Sequence, residues 1–302
     1  MALNIQTFKT RALTAVVFVV VMLGGLLLHH WGFVALFVLI HFGCWWEYCK
    51  LVEKIHQFTL DKVVKGFFFV LGGILLYYAI FPNYSFDFGI RIGELFIGFK
   101  SLFLGFLAVC LLILLTQNKQ IPNKAKWLLL AGFAYITLPC CMMINLLDTG
   151  ILKSCIPAIS ATFPDEVPFW RSAMVPCGII FSIWINDTMA YIVGSLIGKT
   201  PFSSISPKKT WEGTGGGAIL CVAVIALIGW LTGFLTVGHW VAIAAICAVF
   251  GTAGDLLESK LKRLAGVKDS GSFMPGHGGF LDRFDSLLVA VPFVWVYVKC
   301  FV

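Results

Sequence analysis

Runs of about 20 apolar residues, long enough to cross the hydrocarbon core of a bilayer as helices, recur along the whole chain and alternate with short polar segments. Nine spans are predicted, at 12–28, 31–49, 65–81, 95–116, 127–147, 173–194, 214–236, 240–258 and 286–302. The runs are continuous rather than alternating, so helices are expected and barrel strands are not. The expected fold class is all-α: a polytopic integral membrane protein forming one domain over residues 1–302. Composition strengthens this, because only 12% of the 302 residues are charged and 59% are hydrophobic, whereas a soluble domain carries about 25% charged residues. The first run follows Lys9 and Arg11, but no small-residue cleavage site with a soluble mature region follows it, so it is expected to be a retained span.

Charge sets the expected orientation. With the N-terminus inside, most of the 22 Lys and Arg residues fall on inner segments, among them Lys50, Lys54, Lys62, Lys65, Lys119, Lys124 and Lys126. The outer positions keep Arg91, Lys100, Lys153, Arg171 and Lys299. This bias predicts N-in and C-out. Topology and anionic headgroups account for the net charge of +7, and no nucleic-acid partner is expected. The ten cysteines lack paired CxxC spacing and mostly sit in apolar runs, as packing residues do. The longest outer loop, near Asp148 to Arg171, carries Pro157, Pro164 and Pro168 and reads as an irregular connector. Polar features concentrate after about Met174, so residues 1–172 are expected to be mainly scaffold and 173–302 the catalytic half. That asymmetry argues against a transporter built from two matched repeats.

Three constellations carry candidate chemistry. Asn186-Asp187 lies late in an apolar span, where a carboxylate costs about 2.5 to 3.5 kcal/mol at mid-membrane and usually faces a polar cavity; an interhelical hydrogen bond is the alternative. Ser206-Pro207-Lys208-Lys209-Thr210-Trp211-Glu212-Gly213 precedes Gly215, Gly216 and Gly217 at the start of a span. Its lysines, the hydroxyls of Ser206 and Thr210, and a helix N-terminus suit phosphate. A basic interfacial loop anchored by Trp211, with glycines that permit close helix packing, explains it equally well. The third is the polar stretch from Ser259 to Asp285, which lies between two apolar runs and holds Lys260, Lys262, Arg263, Lys268, Arg283, Asp269, Asp282, Asp285 and the turn Pro275-Gly276-His277-Gly278-Gly279. Just upstream, Asp255, Glu258 and Ser259 share a helix face. Magnesium takes one or two carboxylates and completes its shell with phosphates and water, which Asp255 and Asp282 suit. An internal ion pair of Asp282 or Asp285 with Arg283, Lys262 or Arg263 is the alternative. His277 is a substrate-positioning candidate, with no Cys or second His placed to make a zinc site.

The run from Ser259 through Lys262-Arg263, Lys268-Asp269, His277-Gly278-Gly279 and Asp282-Arg283 to Asp285 resembles, interval by interval, the signature of the phosphatidate cytidylyltransferase (CDP-diacylglycerol synthase) family. Met274 stands where that family usually has Leu, Ile or Phe. Ser206 to Gly213 resembles a second family loop; Asn186-Asp187 and Gly198-Lys199 resemble a third, with Ser195 where many members carry Arg. The resemblance covers roughly residues 180–286. It implies an all-helical membrane enzyme, a homodimer; the membrane is expected to be a bacterial-type inner (plasma) membrane, and the charged clusters, which converge on the inner side, put the active site facing the cytoplasm. It also implies Mg2+ organised by Asp255 and Asp282, and leaves open a second cation.

The expected reaction transfers CMP from CTP to phosphatidic acid, giving CDP-diacylglycerol and pyrophosphate. Asp255, Asp282, Lys262, Arg263 and His277 are the expected catalytic residues. Substrate binding is expected from Asp187, Ser206, Lys208, Lys209, Thr210, Ser259, Lys268, Asp269, Gly278, Gly279, Arg283 and Asp285. A CTP-dependent lipid-alcohol kinase is one rival and would release CDP instead of pyrophosphate; an ion or phosphate transporter using the same carboxylates is another.

Overall fold

The computed structural model describes residues 5–81, 89–92, 95–147, 168–203, 205–273 and 278–302. Among the described residues eleven α-helical segments follow one another: α1 (Ile5–Leu27), α2 (His30–His56), α3 (Lys62–Ile80), α4 (Phe99–Gln117), α5 (Asn123–Gly132), α6 (Leu138–Asn145), α7 (Phe169–Ser172), α8 (Met174–Ile197), α9 (Trp211–Thr232), α10 (Val237–Leu264) and α11 (Leu281–Phe301). A π-helical turn, Phe133–Thr137, joins α5 to α6 into one long rod, Asn123–Asn145.

Among the described residues, seven helices are long and apolar enough to cross a membrane: α2, α3, the α5–α6 rod and α8 through α11. Shorter apolar helices at Leu13–Leu27 and Phe103–Gln117 occupy the other two predicted spans. The chain is thus a helical, multi-pass membrane protein. Several boundaries shift, as where α2 runs on to His56 and α10 to Leu264, and one differs in kind. The run predicted to span from 95 opens as strand β2 (Leu95–Gly98), paired antiparallel with β1 (Gly89–Ile92), and helix begins only at Phe99. Apolar composition alone does not separate a short strand from the first turn of a buried helix. The predicted connector near Asp148 to Arg171 lies outside the described residues up to 167, and α7 forms its end.

Helix ends follow local chemistry. Asp61 caps α3 by accepting from Val63 N–H (3.2 Å), and Thr210 caps α9 by accepting from Gly213 N–H (3.1 Å), the usual use of a short polar side chain at an N-terminus. Gly233 and Gly266, at φ 61° and 68°, end α9 and α10 in a left-handed conformation that costs glycine nothing.

The N-terminal half packs around aromatic side chains. Trp45 of α2 meets Phe68 of α3 and Phe133 of the π turn, and its indole N–H donates to Thr137 Oγ1 at 2.9 Å, an oxygen that His41 also reaches at 3.0 Å. In the C-terminal half the helices approach through small residues, as membrane interfaces favour. Gly213 and Gly217 of α9 lie against the backbone of Ala190 in α8, and Trp240 of α10 seats where Gly178 and Gly229 leave room.

Candidate active site

A cavity of about 450 Å³ opens among α8, α9, α10, α11 and the loop that joins α8 to α9. Helix α8 contributes Asn186, Asp187, Ala190, Tyr191, Gly194 and Ser195; the loop gives Ser206, Lys208, Lys209 and Thr210; α9 gives Thr214; α10 gives Thr252 and Asp255; α11 gives Asp282, Asp285 and Ser286. All three constellations picked out in the sequence therefore supply this one space.

The loop is folded by its own backbone. Phe202 N–H donates to the Lys209 carbonyl (2.7 Å) and Trp211 N–H to the Thr200 carbonyl (3.0 Å). Glu212, in the first turn of α9, then accepts from Lys199 N–H (3.2 Å), Thr200 N–H (3.1 Å) and Thr200 Oγ1 (2.8 Å). This latch draws the end of α8 onto the start of α9 and leaves Lys208 and Lys209 on the cavity wall. Of the two readings of the segment, each explains part of it. Gly213, Gly216 and Gly217 serve close packing against Ala190 and Val193, whereas Ser206, Lys208, Lys209 and Thr210 face the cavity.

Carboxylates meet these cations from two further helices. Lys209 Nζ pairs with Asp255 Oδ2, and Asp255 and Asp285 line the same cavity. Asp285 is only 7% exposed, and its Oδ1 accepts from the N–H of Ser286 (2.6 Å). Asn186 is buried, lines the cavity and leaves its Oδ1 without a hydrogen-bond partner among the described residues. A buried amide oxygen left this way costs stability, and an incoming cation or donor would recover that cost.

Asp282 is held differently. Its Oδ1 accepts from Lys262 Nζ (2.6 Å), and its Oδ2 accepts from Ser270 N–H (2.9 Å) and Gly279 N–H (2.8 Å), with Ser270 Oγ at 2.9 Å. Lys262 also pairs with Glu258 Oε2 at 2.5 Å. Of the alternatives weighed for this carboxylate, the internal ion pair with Lys262 is thus formed, while the Asp282 side chain still borders the cavity. Gly278, at φ 83°, has no room for a Cβ beside the Asp282 carboxylate.

The predicted residues therefore divide. Asp187, Ser206, Lys208, Lys209, Thr210, Asp255, Asp282 and Asp285 line the cavity. Lys262, Gly278 and Gly279 touch it through Asp282. Ser259, Arg263, Lys268, Asp269 and Arg283 are not on its wall, and the last four are exposed. His277 lies outside the described residues. The sequence reading missed Glu47, a buried carboxylate of α2 that bonds Ser270 Oγ and Leu281 N–H. The cost of a carboxylate within an apolar span, applied there only to Asp187, was the signal for it. Elsewhere on α11, Phe284 lines an apolar groove of about 410 Å³ together with Phe18, Leu36, Leu39, Phe273 and Phe280.

The chain is 42% identical over 132 residues to phosphatidate cytidylyltransferase 4, chloroplastic, of Arabidopsis thaliana, covering 43% of this chain and 34% of that protein. It is 45% identical over 122 residues to phosphatidate cytidylyltransferase of Bacillus subtilis, covering 39% and 45%, and 44% identical over 122 residues to that of Synechocystis, covering 38% and 40%. The chain thus spans less than half the length of these curated relatives. The model of the cytidylyltransferase family, by contrast, matches residues 9–301, and with its signature carboxylates gathered on one cavity the chain belongs to that family.

Proposed function

We propose that this protein is a phosphatidate cytidylyltransferase. A phosphate oxygen of phosphatidic acid attacks the α-phosphorus of CTP, the bond from that phosphorus to the bridging oxygen breaks, and pyrophosphate leaves. CDP-diacylglycerol stays in the bilayer. The observation that carries the reading is the convergence of Lys208, Lys209, Asp187, Asp255, Asp282 and Asp285 on one cavity in a chain of this family. Such transfers need no protein nucleophile and depend on positioning and charge neutralisation. Lys208 and Lys209 hold the triphosphate. The apolar groove that Phe284 lines suits a substrate with acyl chains.

The donor set fits a hard divalent cation. Among the described residues no three His, Cys, Asp or Glu side chains already form a metal cage, but magnesium needs only one or two carboxylates when phosphates and water complete its shell. Asp255 and Asp282 are the proposed ligands, with Asp285 and the unpartnered Asn186 Oδ1 beside them. Bound there, magnesium would neutralise charge on the triphosphate. Lys209, paired with Asp255, would lie beside the phosphates that such a cation would share. The active-site face is proposed to be cytoplasmic, in a bacterial-type inner membrane, and the enzyme a homodimer.

The test is labelled CTP with phosphatidate and magnesium, scored for a lipid-soluble cytidine product and for pyrophosphate. Release of CDP with a phosphorylated alcohol would point to a kinase instead. Asp255→Asn is expected to lower turnover by about 10²-fold or more, the scale for removing one preorganised electrostatic group, with membrane insertion unchanged. Full activity in that variant removes Asp255 from the mechanism.

A further inference from the structure

Glu47 sits in α2, in the half of the chain with no signature motif, and is 4% exposed. Its Oε2 accepts from Ser270 Oγ at 2.7 Å and from Leu281 N–H at 2.9 Å. These two residues bracket the glycine-rich turn of the signature. The approach is close on every side, because a Cβ on either Gly271 or Gly279 would strike the Glu47 carboxylate. One helical turn earlier, on the same face of α2, Gly43 leaves room for the ring of Phe280. Among the described residues Glu47 forms no ion pair. Its carboxylate is spent on the two ends of one segment.

Ser270 carries the contact onward. Its N–H donates to Asp282 Oδ2 at 2.9 Å, and its hydroxyl stands between Asp282 Oδ2 (2.9 Å) and Glu47 Oε2. Gly279 N–H, beside the other contact of Glu47, donates to the same Asp282 oxygen at 2.8 Å. The orientation of the Asp282 carboxylate is therefore set by Lys262 on Oδ1 and, on Oδ2, by two backbone N–H groups next to the contacts of Glu47.

We propose that Glu47 is a positioning residue for the active site: by tying Ser270 and Leu281 to α2 it fixes, through Ser270, the carboxylate of Asp282. This rests on the reading of the cavity as the place of cytidylyl transfer. It also assigns the N-terminal half a part in catalysis beyond scaffold, since Ser270 and Leu281 are held by a residue more than 200 positions away in sequence.

Glu47→Ala, Glu47→Gln and Ser270→Ala are compared with wild type, purified in detergent, by steady-state kinetics and by hydrogen exchange of peptides covering 266–282. Glu47→Ala is expected to raise exchange in that segment while other helices keep theirs, and to lower kcat by about 10–100-fold, the usual loss when a partner that orients a ligating group is removed. KM for CTP should change much less, because Lys208 and Lys209 are untouched. Glu47→Gln keeps a carbonyl acceptor for Leu281 N–H and should recover most of the activity; Ser270→Ala should reproduce the loss. Unchanged exchange at 266–282, wild-type kcat in Glu47→Ala, or a rise in exchange spread evenly over the protein each overturns the proposal. If wild type makes no lipid-linked cytidine, the cytidylyltransferase reading falls, and the exchange comparison still decides whether Glu47 holds the turn. Should Glu47→Ala fail to fold, Ser270→Ala gives the same decision.

Discussion

Lys262 shows how one side chain can be needed by a site whose cavity it does not line. It stands between Glu258, fully buried, and Asp282, at 2.5 and 2.6 Å. Replacing it with an apolar residue leaves two carboxylates facing each other in a medium that solvates neither. Breaking a buried pair in this way costs about 3–5 kcal/mol. Lys262→Met is therefore expected to unfold well below wild type in detergent, and the double variant Lys262→Met/Glu258→Gln to recover part of the loss by removing one stranded charge. Thermal unfolding of the three proteins, followed by circular dichroism, checks this; equal midpoints for wild type and Lys262→Met would show that the triad contributes nothing to stability. A basic residue in the signature is thus held by structure first, and its effect on substrate passes through the carboxylate it steadies.

At the scale of elements, the pairing of α8 with α9 sets the width of the cavity. A Cβ at Gly217 would meet the backbone N and Cα of Ala190 at 2.7 and 2.8 Å, atoms that cannot rotate aside. Gly217→Val must push α9 away from α8 and carry Thr210 and Lys209 with it. Overpacking of this kind costs about 1–3 kcal/mol, and kcat/KM for CTP should fall. Gly215→Ala, whose Cβ meets nothing within 4 Å, should keep both stability and activity. The helices themselves were legible because bilayer thickness imposes one length on every apolar run. The paired strands Gly89–Ile92 and Leu95–Gly98 and the π turn at Phe133 carry no such length rule. Asp187 was legible because a carboxylate within an apolar span is costly, and Asp255, Asp282 and Lys209 because carboxylates and lysines at those places suit magnesium and phosphate. The Glu212 latch and the contacts of Glu47 were not, since they depend on which backbone N–H groups fold against them, and for Glu47 the partners are 223 and 234 residues away.

For the whole molecule, an odd number of crossings puts the two termini on opposite faces. If α1 and α4 cross together with the seven longer helices, the charge bias of the loops requires N-in and C-out, and Cys300, exposed at the end of α11, lies on the outer face. The cavity, opening at the N-terminal ends of α9 and α11 and the C-terminal ends of α8 and α10, then lies at the inner face, where a cytoplasmic nucleotide reaches it. Cysteine labelling reads both ends at once. With Cys155 of the predicted outer loop replaced by serine, a membrane-impermeant maleimide added to intact cells should label Cys300. It should leave Lys208→Cys unlabelled until the membrane is opened. Label at position 208 in intact cells, with Cys300 protected, would invert the protein and leave its lysines and carboxylates facing away from the nucleotide, so this geometric experiment bears on the proposed chemistry as directly as an activity assay does.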